Sequence, residues 1–318
     1  MEPQLWWHQH VIWYLYLAGL GAGAVTVSAS ILLRGGDLGT GNFKMARYGA
    51  LIGPFPVIIG TSALVFELGR PFRALNLFKV VNLSPMSIGS WFLLFFILIS
   101  LVYAVTFLPS FAPQFERLNY HIARVRRSLS WMMMPLGVGV AVYTGVLLGA
   151  MPARPLWNSP ILAFMFVISA LSTGVALVIL ASALGHKKSS EPQVEAQYME
   201  SSYSLTATDT IFVGIELLIV FLFIMFAHLT IGNVKYAVAV IMPGGEMALE
   251  FWLWVVVIGL VIPGLVELFY VVPKLVYGME FRIPRMVEIG VAVAVLVGGY
   301  MLRHVIVVAG QMTGPVGL

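Results

Sequence analysis

The sequence predicts an all-α integral membrane protein, a single bundle of eight transmembrane helices that takes in the whole chain, 1–318. Of its 318 residues, 60% are hydrophobic and only 10% are charged, whereas soluble domains carry about 25% charged residues. Apolar runs near the ~20 residues that a helix needs to cross a bilayer recur along the chain. The eight runs lie at roughly 11–33, 48–69, 88–109, 129–150, 160–184, 207–231, 249–272 and 287–309. Each should be a helix, because irregular backbone cannot face lipid.

The basic residues predict the orientation of the bundle. Lys and Arg concentrate in cytoplasmic loops, and the loops on one side hold twelve of them against five on the other side. The twelve are Arg34, Lys44, Arg47, Arg117, Arg124, Arg126, Arg127, Lys187, Lys188, Lys274, Arg282 and Arg285, and the five are Arg70, Arg73, Lys79, Arg154 and Lys235. The rule therefore places both termini outside, on the periplasmic side. Because these residues lie in short loops, the net charge of +4 indicates membrane topology and not nucleic-acid binding.

Cysteine is absent, which excludes a structural disulfide, a Cys-ligated iron–sulfur cluster and a thiolate catalyst in this protein. Two b-type haems would need about four membrane histidines in facing pairs. Only His10, His228 and His304 lie near the apolar runs, and none of them lies near mid-depth. We therefore expect no haem, iron–sulfur cluster or metal ion in this protein.

Ionisable groups inside the apolar runs are functional candidates, because they are costly to bury in lipid. Asp209 and Glu216 are seven residues apart, so they share a helix face. With Glu267, Glu288 and Arg303 they predict a hydrated proton path through the later helices, approximately 207–310. Interhelical hydrogen bonds, or a simple pairing of Arg303 with a neighbouring carboxylate, explain the same residues equally well.

The loop between the second and third runs predicts a docking site at the membrane surface. This loop is short, basic and aromatic; it contains Arg70 and Arg73, and the carboxylate of Glu67 stands at its edge. Trp91 follows it in the next run, and Arg154 lies in another loop on the same side. We predict that the two loop arginines, Trp91 and Arg154 hold a partner subunit.

Four stretches, spread over nearly the whole sequence, carry a family resemblance. They are 14–23 (YLYLAGLGAG), 67–71 (ELGRP) with 84–91 (SPMSIGSW), 143–145 (YTG) with 154–158 (RPLWN), and Arg303 with 309–311 (AGQ). In the order and spacing of these stretches the sequence resembles the NrfD/PsrC family, membrane subunits of polysulfide, thiosulfate, tetrathionate and nitrite reductases.

The resemblance implies an eight-helix, quinone-handling subunit of the bacterial inner membrane, without a redox cofactor of its own. It implies a periplasmic, ferredoxin-like iron–sulfur partner, and beyond it a molybdopterin catalytic subunit or a multihaem cytochrome. The family's quinone pocket uses a Tyr of the fourth helix, which carries over to Tyr143, and polar residues of the first helix. There this sequence departs from the family, which has His where Tyr14 stands and Asn where Val11 stands; His10 is the replacement that we expect.

We therefore predict a membrane anchor and quinol/quinone-binding subunit that passes electrons between the menaquinone pool and the iron–sulfur partner, with proton translocation as a second hypothesis. A quinone needs an apolar slot, hydrogen-bond donors and a proton acceptor. Tyr143 would donate to one carbonyl and His10 or Tyr14 to the other, while Glu67 relays protons; this pocket would lie in approximately 1–185. The rival predictions are a secondary transporter, for which proline-broken helices argue, and a purely structural anchor without a quinone site.

Overall fold

The structure is a computed structural model that describes residues 7, 9–35, 40–67, 84–108, 116–186, 191–230 and 232–313, with residues 66–67 and 116–119 described through their backbone. Its α-helices are α1 (Gln9–Leu33), α2 (Gly41–Ile52), α3 (Pro54–Glu67), α4 (Pro85–Val105), α5 (Glu116–Gly149), α6 (Pro160–Gly185), α7 (Pro192–Leu229), α8 (Asn233–Val238), α9 (Ile262–Tyr277) and α10 (Arg285–Met312). A 3₁₀ turn, Ala239–Ile241, follows α8, and a π-helix, Glu250–Val261, leads directly into α9.

Eight helical segments of this part of the protein are long and apolar enough to cross a bilayer. α2 and α3 together form the second, and the π-helix with α9 forms the seventh. The predicted fold class and number of spans are therefore confirmed. The sixth span, predicted at 207–231, begins earlier than predicted, because α7 already begins at Pro192. The first turns of α7 are rich in Glu, Gln and Met, which are good helix formers, so the helix extends beyond the apolar run.

α1 lies at the centre of the bundle, in contact with α2, α3, α5, α6 and α10. Its glycines make this close packing possible. A β-carbon on Gly21 would overlap the carbonyl oxygen of Gly53, and a β-carbon on Gly23 would overlap the carbonyl oxygen of Ala170. Backbones approach this closely only where side chains are small. The glycines of the 14–23 stretch are thus a packing surface for α2, α3 and α6.

Two of the spans have irregular backbone. In the second, the Gly53 N–H bonds to the Gly49 carbonyl oxygen (3.0 Å), and Pro54 then begins a new helix. A proline has no N–H and clashes with the turn before it, so the helix breaks here. In the seventh, the Ile262 N–H bonds to the Val257 carbonyl oxygen, five residues earlier. Such π-helical turns are rare in proteins overall, and those that occur often lie at functional sites.

The two ends of the bundle are held by different contacts. At one end, called the termini face, the Trp7 N–H donates to Gln311 Oε1 (2.7 Å), so α1 begins where α10 ends. At the opposite end, called the basic face, Arg285 at the start of α10 donates to the Leu184 carbonyl oxygen (3.1 Å) near the end of α6. That the termini face is periplasmic stays a prediction.

Candidate functional site

Tyr14 of α1 and Tyr143 of α5 bring two phenol groups together, and this phenol pair is the first part of the site. Tyr14 is 0% and Tyr143 is 8% exposed, and their hydroxyl groups lie beside each other. Tyr14 Oη is buried, and it has no hydrogen-bond partner of good geometry among the described atoms. A buried polar group in this condition costs about 1–3 kcal/mol. A ligand oxygen that accepted its hydrogen would therefore be stabilised here. Both residues are predicted pocket residues, and the structure brings them together.

Glycines on two further helices make room for the phenol pair. A β-carbon at Gly89 of α4 would overlap three ring atoms of Tyr143. On α3, a β-carbon at Gly60 would lie 3.3 Å from the α-carbon of Tyr14. Ser84 caps α4 and a proline follows it, which fixes where the helix begins and hence where Gly89 points. Sequence reasoning missed both glycines as site residues, although Gly89 stands inside one of the four family-like stretches.

The other predicted residues near the phenol pair are more dispersed. His10 lies exposed at the second residue of α1. Trp91 is half-buried on α4 and stacks on Phe95, with ring centroids 5.7 Å apart. The predictions for Glu67, Arg70 and Arg73 concern side chains that lie outside the described residues.

Arg154 fastens the loop between α5 and α6 to the end of α10. Its Nη1 donates to the Gln311 carbonyl oxygen at 2.7 Å. In the same loop, buried Trp157 stacks on Trp7 with ring centroids 5.1 Å apart and donates from Nε1 to the Ile306 carbonyl oxygen (2.7 Å). These contacts hold the loop between α5 and α6 against α10 and Trp7 at the termini face. One side of the Arg154 guanidinium is therefore engaged within the protein, and the predicted docking role of Arg154 stays a prediction.

Four buried carboxyl groups, called the carboxylate row, follow the interface of α6, α7, α9 and α10. Its members are Glu288, Glu267, Asp209 and Glu216, none more than 4% exposed. Nearest the basic face, Glu288 accepts hydrogen bonds from Ser202 (2.6 Å) and Tyr198 (3.4 Å). The Tyr198 ring stacks on the partly exposed His186 at 3.7 Å. The row therefore reaches the surface of the basic face at this histidine.

Asp209 and Glu267 form the next step, with their carboxyl groups side by side. Ser172 of α6 donates to Asp209 Oδ1 (2.8 Å), and Thr210 donates to Glu267 Oε2 (3.2 Å). The Ser172 and Thr210 hydroxyl groups thus hold the carboxyl groups of Asp209 and Glu267 in place. A pair of carboxyl groups this close in a low-dielectric interior is suited to sharing one proton.

A small cavity, apolar over most of its lining, lies between Glu267 and Glu288. It has a volume of about 10 Å³ and is lined by both acids and by Thr206. Thr206 Oγ1 is buried, with no hydrogen-bond partner among the described atoms. A cavity of roughly this size with polar partners is at the threshold for holding one water molecule. One water here would bridge the two acids through the threonine hydroxyl.

Arg303 of α10 lies at the inner end of the row, fully buried. Its Nη1 donates to Ser169 Oγ and to the Gly299 carbonyl oxygen, both at 2.7 Å. Ser169 in turn lies beside the carboxyl group of Glu216. The guanidinium also faces the Tyr16 ring of α1, 5.8 Å from its centroid. A buried cation thus stands between the carboxylate row and α1, and the predicted pairing of Arg303 with a carboxylate acts through a serine.

His304 and Glu250 continue the polar groups towards the termini face. His304 follows Arg303 on α10 and lies beside Glu250 at the start of the π-helix. His304 Nδ1 and Glu250 Oε2 are both buried, with no hydrogen-bond partner among the described atoms. Tyr300, one turn before His304, donates to Gln9 Oε1 (3.2 Å) at the start of α1. Sequence reasoning left His304 and Glu250 out of the path, because they lie at the ends of apolar runs, where solvation is cheap.

The length of this polar arrangement matches the membrane. Glu288 and Arg303 are fifteen residues apart on α10, which is about 22 Å at 1.5 Å per residue. The hydrocarbon core of a bilayer is about 30 Å thick. All five predicted path residues are buried and follow one another along an interface that spans most of that thickness. Within the described residues, no group of three or more His, Asp or Glu side chains is arranged to hold a metal ion.

Comparison with known proteins identifies the family. The family model described as "Polysulphide reductase, NrfD" matches residues 1–315. Protein NrfD of Escherichia coli is 31% identical over 320 residues, which covers 96% of this sequence and 95% of that protein. One chain of the polysulfide reductase of Wolinella succinogenes is 28% identical over 315 residues, with 96% and 94% covered. One subunit of the selenate reductase of Mesobacillus selenatarsenatis is 26% identical over 246 residues, with 67% and 55% covered. With the family's pattern matched from residue 1 to residue 315, this eight-span chain belongs to the NrfD polysulphide reductase family.

Proposed function

We propose that this protein is the membrane anchor and quinol/quinone-binding subunit of a periplasm-facing oxidoreductase complex in the bacterial inner membrane. It passes electrons between the menaquinone pool and a ferredoxin-like iron–sulfur partner, which serves a molybdopterin subunit or a multihaem cytochrome. The observation that carries the proposal is the phenol pair, in which the buried Tyr14 hydroxyl has no hydrogen-bond partner of good geometry among the described residues. The family supports it, since relatives are named as parts of polysulfide and selenate reductases.

The residues of the phenol pair fit a quinone oxygen. A phenol is neutral at neutral pH and both donates and accepts one hydrogen bond. Because the hydroxyl groups of Tyr14 and Tyr143 lie side by side, they suit one and the same quinone oxygen rather than the two opposite ones. The exposed His10, at the start of α1, would then either bind the other quinone oxygen or carry protons from the quinol to the surface.

A quinol bound here supplies two electrons and two protons on oxidation. Tyr14 and Tyr143 hold the reacting oxygen, and the phenol that receives a quinol proton releases its own hydroxyl proton in the same step, so both phenols stay neutral. The protons leave at the termini face, with His10 and Glu67 as the proposed carriers, while the two electrons pass to the nearest iron–sulfur centre of the partner. Arg70 and Arg73 of the loop, with Trp91 and Arg154, are the proposed contacts that hold the partner near the phenol pair.

The first test is gentle purification of the protein from its native membrane. An iron–sulfur protein that copurifies with a molybdopterin or multihaem subunit is the expected result. Tyr143→Phe should then abolish quinol-driven reduction by the assembled complex, because the reacting oxygen loses a hydroxyl partner. Tyr120→Phe is the matched control, since Tyr120 is 65% exposed on the same helix. Full quinol turnover in Tyr143→Phe, or a purified protein with no redox partner and no quinone, would refute the proposal in favour of a transporter or an anchor.

We also propose that the carboxylate row makes the reaction electrogenic by conducting protons through the later helices. The row supports this with carriers that alternate with hydroxyl groups: Glu288, the water-sized cavity at Thr206, the Asp209–Glu267 pair, and Glu216 beside Ser169 and Arg303. His304 and Glu250 extend it to the termini face. α1 lies between the phenol pair and the carboxylate row, because its Tyr14 belongs to the phenol pair and its Tyr16 faces Arg303. A shift of α1 would therefore displace residues at both sites.

Reconstitution of the complex in sealed vesicles tests this second proposal. Quinol oxidation should move protons across the membrane in the wild type. Glu216→Gln should stop that movement and slow quinol turnover in sealed vesicles, and a protonophore should restore the turnover. If the wild-type complex oxidises quinol without translocating protons, the row is a set of interhelical hydrogen bonds and nothing more.

A further inference from the structure

A membrane-exposed crevice at the basic face lies far from the phenol pair. It has a volume of about 250 Å³ and is enclosed by residues of α1, α2, α5, α6 and α7. Arg34 and Ser204 at its edge are exposed, so the crevice is open at the surface of the bundle. Neither the carboxylate row nor the phenol pair contributes a lining residue.

The crevice is polar at one end and apolar at the other. Arg34, Asn42 and Ser30 line the end at the basic face, and Met134, Val138 and Phe212 line the inner end. Thr26, also in the lining, stands eight residues before Arg34 on α1, so the crevice runs about 12 Å into the membrane. Its polar end therefore lies at the depth of lipid headgroups and its apolar end at the depth of acyl chains.

The polar end has unused hydrogen-bond donors and no counter-charge among the described lining residues. No side-chain hydrogen bond or salt bridge of Arg34 or Asn42 is present within the described part of the protein. The deeper hydroxyl groups differ, because they are satisfied by their own helices. Thr26 donates to the Ala22 carbonyl oxygen (2.7 Å), and Thr208 donates to that of Ser204 (2.8 Å).

We infer that this crevice is a binding site for an anionic glycerophospholipid of the basic-face leaflet. Arg34 and the Asn42 amide hold the phosphate group, with Ser30 beside them, because a guanidinium forms charge-assisted bonds to phosphate oxygens. One acyl tail lies between α5 and α7 along Val138 and Phe212. Basic crevices between transmembrane helices at this level suit anionic headgroups. The bound lipid would fill the gap between α5 and α7 and so hold the two helices together.

The experiment is a lipid titration of the purified, delipidated full-length protein, followed by native mass spectrometry. Phosphatidylglycerol should bind as one retained molecule more tightly than phosphatidylcholine. Arg34→Gln should weaken phosphatidylglycerol binding about fivefold, the effect of one surface Arg on an anionic lipid. Arg124→Gln, which removes an exposed charge from α5 near the same face, is the matched control and should leave binding unchanged.

A second variant tests the apolar end independently of charge. Val138→Phe fills the inner crevice, so it should release the retained lipid even with Arg34 intact. The inference is overturned if the two lipids bind alike, if Arg34→Gln and Arg124→Gln weaken binding equally, or if Val138→Phe retains the lipid. Displacement of phosphatidylglycerol by an uncharged quinone at equal concentration would also overturn it, since the crevice would then be selecting a quinone.

Discussion

Gly89 offers the sharpest single-atom perturbation of the phenol pair. The change Gly89→Ala adds one methyl group on α4, and that β-carbon would overlap three atoms of the Tyr143 ring. Ordinary van der Waals contact begins near 3.4 Å, so the ring has to retreat by at least about 1 Å. Displacement of a positioning group by about 1 Å can cost roughly a hundredfold in rate. We therefore expect quinol oxidation by the complex to fall about a hundredfold.

Stability and assembly separate this effect from general misfolding. Overpacking costs about 1–3 kcal/mol, while Ala is favoured over Gly in a helix by about 1 kcal/mol. The net cost is then about 0–2 kcal/mol, so the complex should still assemble with the same set of proteins. Gly214→Ala is the matched control, since no heavy atom lies within 4 Å of a β-carbon there among the described residues.

The assay is reduction of the partner's terminal acceptor with a quinol as donor, compared with a soluble donor that bypasses the membrane subunit. Gly89→Ala should lose only the quinol-driven rate. Full quinol turnover in Gly89→Ala would show that Tyr143 tolerates displacement, and its proposed role in holding the quinone oxygen would then be wrong. Equal losses with both donors would contradict that role too, since the damage would lie outside the phenol pair.

Three further predictions concern the rest of the polar interior. Thr206→Val removes the hydroxyl group beside the water-sized cavity, so proton translocation in vesicles should fall about a hundredfold, the lower end of what one positioned proton-transfer group contributes. Thr208→Val should leave translocation unchanged. Equal rates in the two variants would remove Thr206 from the path. Arg303→Met leaves Glu216 without its neighbouring cation, which costs about 3–5 kcal/mol, and Glu216→Gln added to it should recover part of the lost Tm. A double variant no more stable than Arg303→Met would show that the two groups do not interact. Gly310→Ala would overlap the indole of Trp157 and should cost up to about 2 kcal/mol after the gain in helix propensity. The cost should appear as a lower Tm and altered tryptophan fluorescence, whereas Gly290→Ala should change neither. An unchanged Tm in Gly310→Ala would mean that Trp157 has room to move.

The spans and the buried charges were predictable from the sequence because both are local signals. Apolar length identifies each crossing, and a carboxylate such as Asp209 is conspicuous wherever the residues around it are apolar. Partners such as Ser169, Ser172 and Thr206 were not predictable. Hydroxyl residues are common in transmembrane helices, so nothing local distinguishes a serine that bonds Arg303 from one that bonds its own helix.

Close approaches between distant helices were equally hidden from sequence reasoning. Gly89 and Tyr143 are 54 residues apart, and only the packing of α4 on α5 shows why position 89 lacks a side chain. The extent of α7 was missed for a different reason. Its first turns are polar, so hydropathy places the start of the span at 207. Helix propensity and the hydrogen bond from Ser202 to Glu288 stabilise the earlier turns, so the helix itself begins at Pro192.

The most direct measurement of the central claim is a cryo-EM map of the intact complex, purified with its quinone. We expect quinone density in which one headgroup oxygen lies within hydrogen-bonding distance of both the Tyr14 and the Tyr143 hydroxyl groups. In the same map, the nearest iron–sulfur centre should stand over the termini face. A quinone bound elsewhere, with Tyr14 and Tyr143 bonded only to each other, would contradict a quinone site at the phenol pair.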